Sequence, residues 1–144
     1  MILKFIKINN LIKYKKFNKK KVLILTSRFH IKNKSILKLI SDLNKIADIK
    51  IYNNISPGAS VEDIKIILKN YDNPDLIVGI GGGSVMDISK ACSCCFGSKI
   101  LYKNIANKKI KKKIKTILIP TILGSGAEIS RGAILKKKDK KKIA

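Results

Sequence analysis

The sequence predicts an α/β fold: a Rossmann-like parallel sheet with helices on both faces. Three observations lead there. Short continuous apolar runs alternate with longer segments whose apolar residues recur at helical spacing. Three consecutive glycines follow one of those runs directly and open onto a helical segment. The 144 residues, 45% hydrophobic and 28% charged, hold enough apolar material for one core and little room for two domains.

The elements follow in order. Residues 22–26 (Val, Leu, Ile, Leu, Thr) form a run with no polar alternation, as in a strand buried on both faces. From Ser35 to Ala47, Ile36, Ile40, Leu43 and Ala47 keep helical spacing with lysines between them. Residues 49–52 again read as a strand. Ser60 is placed to cap a second helix, with Asp63 three residues on as in a capping box. Val61, Ile64, Leu68 and Tyr71 form its inner stripe, and Asn73 with Pro74 breaks it. Residues 76–80 are a third buried strand. A helix from Ser84 to about Phe96 sets Val85, Ile88, Cys92 and Cys95 on one face. Residues 116–119 are a fourth strand, ended by Pro120. Residues 129–135 fit a fifth strand, and Lys136 to Lys142 a charged hairpin or a frayed tail. Right-handed crossovers between parallel strands would place helices on both faces. There is no internal repeat and no separate linker.

The formal net charge is +23, from 32 Lys+Arg against 9 Asp+Glu. Such a balance raises the question of a nucleic-acid partner. Only Arg28 and Arg131 are arginine, so bidentate phosphate and base readers are nearly absent. Aromatic residues are 6% with no Trp, which leaves few stacking platforms. Heavy use of Lys, Ile and Asn reads instead as a codon bias toward A and T, and nucleic acid is not the expected partner. The longest uncharged stretch, residues 116–127, falls short of the roughly 20 needed to span a membrane. Lys4, Lys7 and Lys13 interrupt any signal-peptide core, so the expected setting is the cytoplasm, with no membrane partner. Cys92, Cys94 and Cys95 form neither a disulfide framework nor, with His30 as the one histidine, a zinc pattern. They read as small buried residues on a helix.

Candidate chemistry gathers in two places, each directly after a buried strand, where ligands bind in open parallel sheets. The first is Gly79 to Asp87. Gly81, Gly82 and Gly83 let the backbone approach a ligand closely, and the helix-start amides at Ser84 favour a phosphate. The second is Pro120 to Glu128, where the hydroxyls of Thr121 and Ser125 are spaced by glycines. A tight turn with a helix cap, and a capped loop, account for the same residues without a ligand. Together the two loops point to a crevice for a phosphate-bearing ligand, with no general base or metal set beside it.

These segments resemble the iron-containing (group III) alcohol dehydrogenases, whose fold is that of dehydroquinate synthase. Residues 81–91 match their GGGSxxDxxK motif and residues 120–128 their PTTxGTGSE motif, in the same order. Residues 56–60 sit where the family has a Pro-Asn-Pro-Thr segment, and the likeness covers about residues 20 to 144. Dehydroquinate synthase and glycerol-1-phosphate dehydrogenase share the glycines but fit the second motif less well. Ile122, Ser125 and Ala127 depart from the second motif, and Gly58 stands where the family often has Asn.

The resemblance implies an amino-terminal domain that binds NAD or NADP, followed in the family by an all-helical domain. It casts residues 1–144 as that NAD(P)-binding domain, a piece of a two-domain protein lacking the helical part. It further implies that Gly81, Gly82, Gly83 and Ser84 hold the pyrophosphate and that Asp87 supports the loop. Thr121, Ser125 and Ser130 would line the cleft, Lys142 would match a cofactor-binding lysine, and Ser27 would stand where NAD-preferring members carry an acid. The family's Fe2+ or Zn2+ is held by one Asp and three His in the helical domain, so no catalytic residue and no metal ligand is assigned here. The implied reaction is hydride transfer between NAD(P) and a small alcohol or aldehyde. The implied partner is a complementary helical fragment or a second copy in a homodimer. A nucleotide-binding remnant without catalysis and a basic nucleic-acid binder are the other readings left open.

Overall fold

The computed structural model describes residues 17–98, 113–121, 126–127, 130, 132–136 and 142–143. Four strands make one parallel sheet: β1 (Lys21–Leu25), β2 (Asp48–Tyr52), β3 (Leu76–Gly81) and β4 (Lys115–Pro120), in the order β2-β1-β3-β4. The register sets Val22 beside both Ile49 and Leu76, and Leu76 beside Lys115. Three α-helices connect the strands or follow them: α1 (Lys34–Asn44), α2 (Val61–Asn70) and α3 (Gly83–Ser98). A two-residue antiparallel pair, β5 (Leu135–Lys136) with β6 (Lys142–Ile143), matches Leu135 to Ile143.

Strand pleating divides the core into two layers. Leu23, Leu25 and Ile77 point to the side where Ile64 and Ile67 of α2 and Val85, Ile88 and Cys92 of α3 are buried. Val22, Ile24, Leu76, Val78 and Ile80 point the other way, against Ile36, Leu39 and Leu43 of α1 and against Phe17. Helices therefore cover both faces, as expected. Because β1 and β3 are buried on both sides, neither shows the polar alternation of a half-exposed strand. Each large side chain so buried contributes roughly 1.5–3 kcal/mol.

Several boundaries differ from the sequence reading, each for a local reason. Helix α1 starts at Lys34 because the Asn33 side chain accepts from the Ser35 and Ile36 amides, at 2.9 and 3.4 Å. It ends at Asn44, with Ala47 in the turn beyond. Helix α3 begins at Gly83, one residue before Ser84. Ser60 caps α2 by accepting from the Glu62 amide, but Asp63 does not complete a capping box. Its buried carboxylate instead accepts from the Tyr52 hydroxyl and the Ser56 amide, both at 3.1 Å. Pro120 lies inside β4, as its last residue, opposite Gly81. The fifth strand is only Leu135–Lys136; residues 129 and 131 lie outside the described residues. Lys142 and Ile143 pair back onto it, and residues 137–141 lie outside the described residues. No helix among the described residues is long and apolar enough to cross a membrane.

Candidate nucleotide-binding crevice

Chain order reverses between β1 and β3: the chain leaves β1 for β2 on one side and returns to β3 on the other. In open α/β sheets such a switch point opens a crevice beyond the carboxyl ends of the strands. Three loops converge there, beginning at Thr26, Gly82 and Thr121. They are tied to the strand ends. The buried Thr26 hydroxyl donates to the Ile80 carbonyl at 2.8 Å, and the Thr121 amide donates to the Gly81 carbonyl at 3.0 Å.

The glycine turn follows β3 as expected. A Cβ on Gly81 would meet Val85 Cγ2 at 2.6 Å, so glycine there lets α3 start immediately after the strand. The first bond of α3 runs from the Met86 amide to the Gly82 carbonyl, at 3.1 Å. The amides of Gly83, Ser84 and Val85 precede it and have no carbonyl of the helix to reach. Gly82, Gly83 and Ser84 are part-exposed, so these amides and the positive end of the helix dipole open to the crevice. The Ser84 hydroxyl accepts from the Gly58 amide at 2.8 Å, drawing the loop before α2 to the crevice rim. That loop has left-handed backbone at Gly58 (φ 93°) and Ala59 (φ 53°). The Lys136 amide donates to the Ala59 carbonyl on its other side, at 2.9 Å.

The remaining sequence-derived residues divide between the two walls. Asp87 Oδ1 pairs with Lys90 Nζ at 2.8 Å, and its Oδ2 accepts from the Ile134 amide at 3.1 Å. The support it lends goes to the segment after β4. Ser130 lies in that same segment, and Thr121 stands at the end of β4. Ser125 lies outside the described residues; Lys142 lies in β6, its side chain outside them. Ser27 follows β1, and its hydroxyl is 2.7 Å from His30 Nδ1.

Two residues matter here that sequence patterns did not single out. Lys90 Nζ donates to the Ala127 carbonyl and the Ser130 hydroxyl, both at 2.9 Å, and to the Gly132 carbonyl. With Asp87 it staples the segment after Gly126 to α3. His30 sits in a short 3-10 turn and reaches Thr121 Oγ1 through Nε2, at 2.7 Å. Its ring joins the loops after β1 and β4. The position of Lys90 in the GGGSxxDxxK motif was a signal for the first; nothing local marked the second.

The three cysteines are buried on α3, as the sequence suggested. Burial pushes the Cys92 and Cys94 thiols upward and, with Cys94 adding to it, carries Cys95 to about 12. Burial also raises the Tyr52 hydroxyl to about 12, with the Asp63 carboxylate reinforcing the shift. No group of three or more His, Cys, Asp or Glu among the described residues is placed to hold a metal ion. A half-open cavity of about 80 Å³ lies at the opposite, amino ends of the strands, lined by Lys21, Asp48, Lys50 and Asp72 among others. It has no part in the crevice.

Comparison with known proteins bears on the same segments. The family model described as iron-containing alcohol dehydrogenase matches residues 5–144. An alcohol dehydrogenase of Thermococcus barophilus is 31% identical over 133 residues, covering 83% of this chain and 35% of that protein. An iron-containing alcohol dehydrogenase from Thermococcus thioreducens superposes with a TM-score of 0.79 at 26% identity, over 94% of this chain and 39% of the other. The NADH-dependent butanol dehydrogenase A of Thermotoga maritima, at 21% identity and a TM-score of 0.80, shares the fold over 92% of this chain and 35% of its own. The chain spans about a third of the length of three of the curated relatives it matches and 12% of a fourth.

Proposed function

The chain belongs to the iron-containing alcohol dehydrogenase family, and from that premise we propose that it is the NAD(P)-binding part of an alcohol dehydrogenase. Residues 1–144 serve in this reading as one Rossmann-like dinucleotide-binding domain. The reaction is hydride transfer between NAD(P) and a small alcohol or aldehyde. The observation that carries it is the glycine turn at the switch point, where Gly82, Gly83 and Ser84 open onto the start of α3. Backbone amides and a helix dipole held by the sheet suit a pyrophosphate, which needs donors and positive potential and no particular side chain.

Roles follow from position. Gly82 and Gly83 keep the backbone bare so that phosphate oxygens reach the amides. Ser84 binds at the same place while anchoring the Gly58 loop. Thr121 and Ser130 line the wall beyond β4, and the family resemblance assigns Ser125 and Lys142 to the same cofactor. Asp87 and Lys90 hold that wall in place. NAD(P) supplies the hydride acceptor or donor when bound. These residues do not fit a metal: His30 has both ring nitrogens on hydroxyls, and the thiols are buried and hold their protons. No step through iron or zinc is derived for this chain.

The decisive variant is Gly82→Val. Gly82 is part-exposed beside the start of α3, and a valine there is expected to crowd a phosphate off the helix amides. NADP and NAD titrations followed by calorimetry are expected to show binding to the native chain and a loss of at least roughly 10-fold in the variant, about 1.4 kcal/mol. Its melting temperature should be unchanged. Equal affinity in a folded Gly82→Val chain would remove the glycine turn from the site.

A further inference from the structure

The crevice holds one side chain able both to donate and to accept hydrogen bonds through two separate ring atoms, and it is the one histidine of the sequence. His30 Nδ1 lies 2.7 Å from Ser27 Oγ, on the loop after β1. His30 Nε2 lies 2.7 Å from Thr121 Oγ1, on the loop after β4. The His30 amide also donates to Ser27 Oγ, at 3.4 Å, which holds the serine oxygen beside Nδ1. Phe29 meets the ring edge-on, with centroids 5.4 Å apart and planes at 86°.

A neutral imidazole carries one N–H and one bare nitrogen, whereas a hydroxyl carries one hydrogen and two lone pairs. Two arrangements therefore satisfy the same heavy-atom distances. With the hydrogen on Nε2, Ser27 spends its only hydrogen on Nδ1, and Thr121 keeps its own for the crevice. With the hydrogen on Nδ1, Thr121 spends its hydrogen on the ring, and Ser27 keeps its own. Protonation of both nitrogens leaves both hydroxyl hydrogens free. The ring thus couples the donor capacity of two loops on either side of the β3 glycine turn.

We propose that His30 is a positioning residue that sets which crevice hydroxyl donates to a phosphate-bearing ligand. A fully ionised phosphate only accepts hydrogen bonds, so it takes a hydroxyl whose hydrogen is not already given to the ring. Binding therefore selects one hydrogen arrangement on His30. The inference rests on the proposed nucleotide site and adds a residue to it. It leaves open to experiment whether the felt oxygen belongs to the pyrophosphate or to a 2′-phosphate.

The test uses the single histidine. In the full chain labelled with nitrogen-15 at histidine, the two ring signals report directly which nitrogen bears hydrogen. NADP, NAD and inorganic phosphate are titrated separately, with binding confirmed by calorimetry on the same samples. Saturation with NADP is expected to move at least one ring nitrogen between the bare and hydrogen-bearing positions. The same change with NAD assigns the effect to the pyrophosphate, and a change with NADP alone assigns it to the 2′-phosphate. A second arm compares His30→Ala and Thr121→Val, each expected to weaken NADP binding by roughly 10-fold, as for a hydrogen bond to a charged group. The double variant should lose less than the product of the two, because both act through one contact. Bound NADP with unmoved ring signals, or fully additive variants, would overturn the role of His30 and leave the nucleotide site standing. No binding of either dinucleotide to the native chain would overturn both.

Discussion

Ser27 bears on cofactor choice. An acidic residue after β1 would repel a 2′-phosphate and bond a ribose hydroxyl; a neutral hydroxyl beside the exposed Arg28 lifts that repulsion. NADP is expected to bind at least as tightly as NAD, and a strong NAD preference in parallel titrations would reject the idea. The thiols and tyrosine buried around α3 make a separate prediction. In the unfolded chain Cys95 and Tyr52 lose their protons near 9 and 10, but the folded chain holds both to about 12. The folded state then binds more protons, so the stability contributed by these groups is complete below pH 9 and is lost between pH 9 and 12. Urea midpoints measured across that window should fall as pH rises. A flat profile would mean that these groups ionise without unfolding.

Elements were legible to different degrees. Strands β1 and β3 stand out in the sequence because parallel strands with covered faces read as unbroken apolar runs, and β4 reads the same way although its residues are only part-buried. The glycine turn is legible for a related reason, since its position after such a run is itself the signal. Helix ends were less legible. Nothing in a stripe of Ile36, Ile40 and Leu43 reveals that Asn33, and not a residue nearer the stripe, closes the first turn. Leu39 and Ile67 were missed as core because a helix packed on a flat sheet buries a broader stripe than a minimal reading assigns. The cap itself is testable. Replacing Asn33 with Ala removes the acceptor for two amides and should cost about 1 kcal/mol in chemical denaturation. Asn33→Ser should recover most of the loss.

At the scale of the whole molecule, long-range contacts were the least legible. The His30 link to Thr121 spans 91 residues, and Lys90 grips oxygens 37 to 42 residues away; no local pattern encodes either. The count of metal donors, by contrast, needs no structure. With one histidine in 144 residues, the chain alone is expected to give no turnover of short alcohols or aldehydes with NAD or NADP, whether iron or zinc is added. Metal-dependent turnover by the isolated chain, measured by cofactor absorbance, would place a reaction centre where none is expected. The Lys90 staple has one more consequence, for motion. The sheet ladder and the two apolar layers do not depend on it, whereas the segment from Gly126 to Ile134 is fastened through its ammonium and the Asp87 carboxylate. Lys90→Ala is therefore expected to speed hydrogen exchange at the Ile134 amide, which donates to Asp87, while the amides of β1 and β3 keep their native protection.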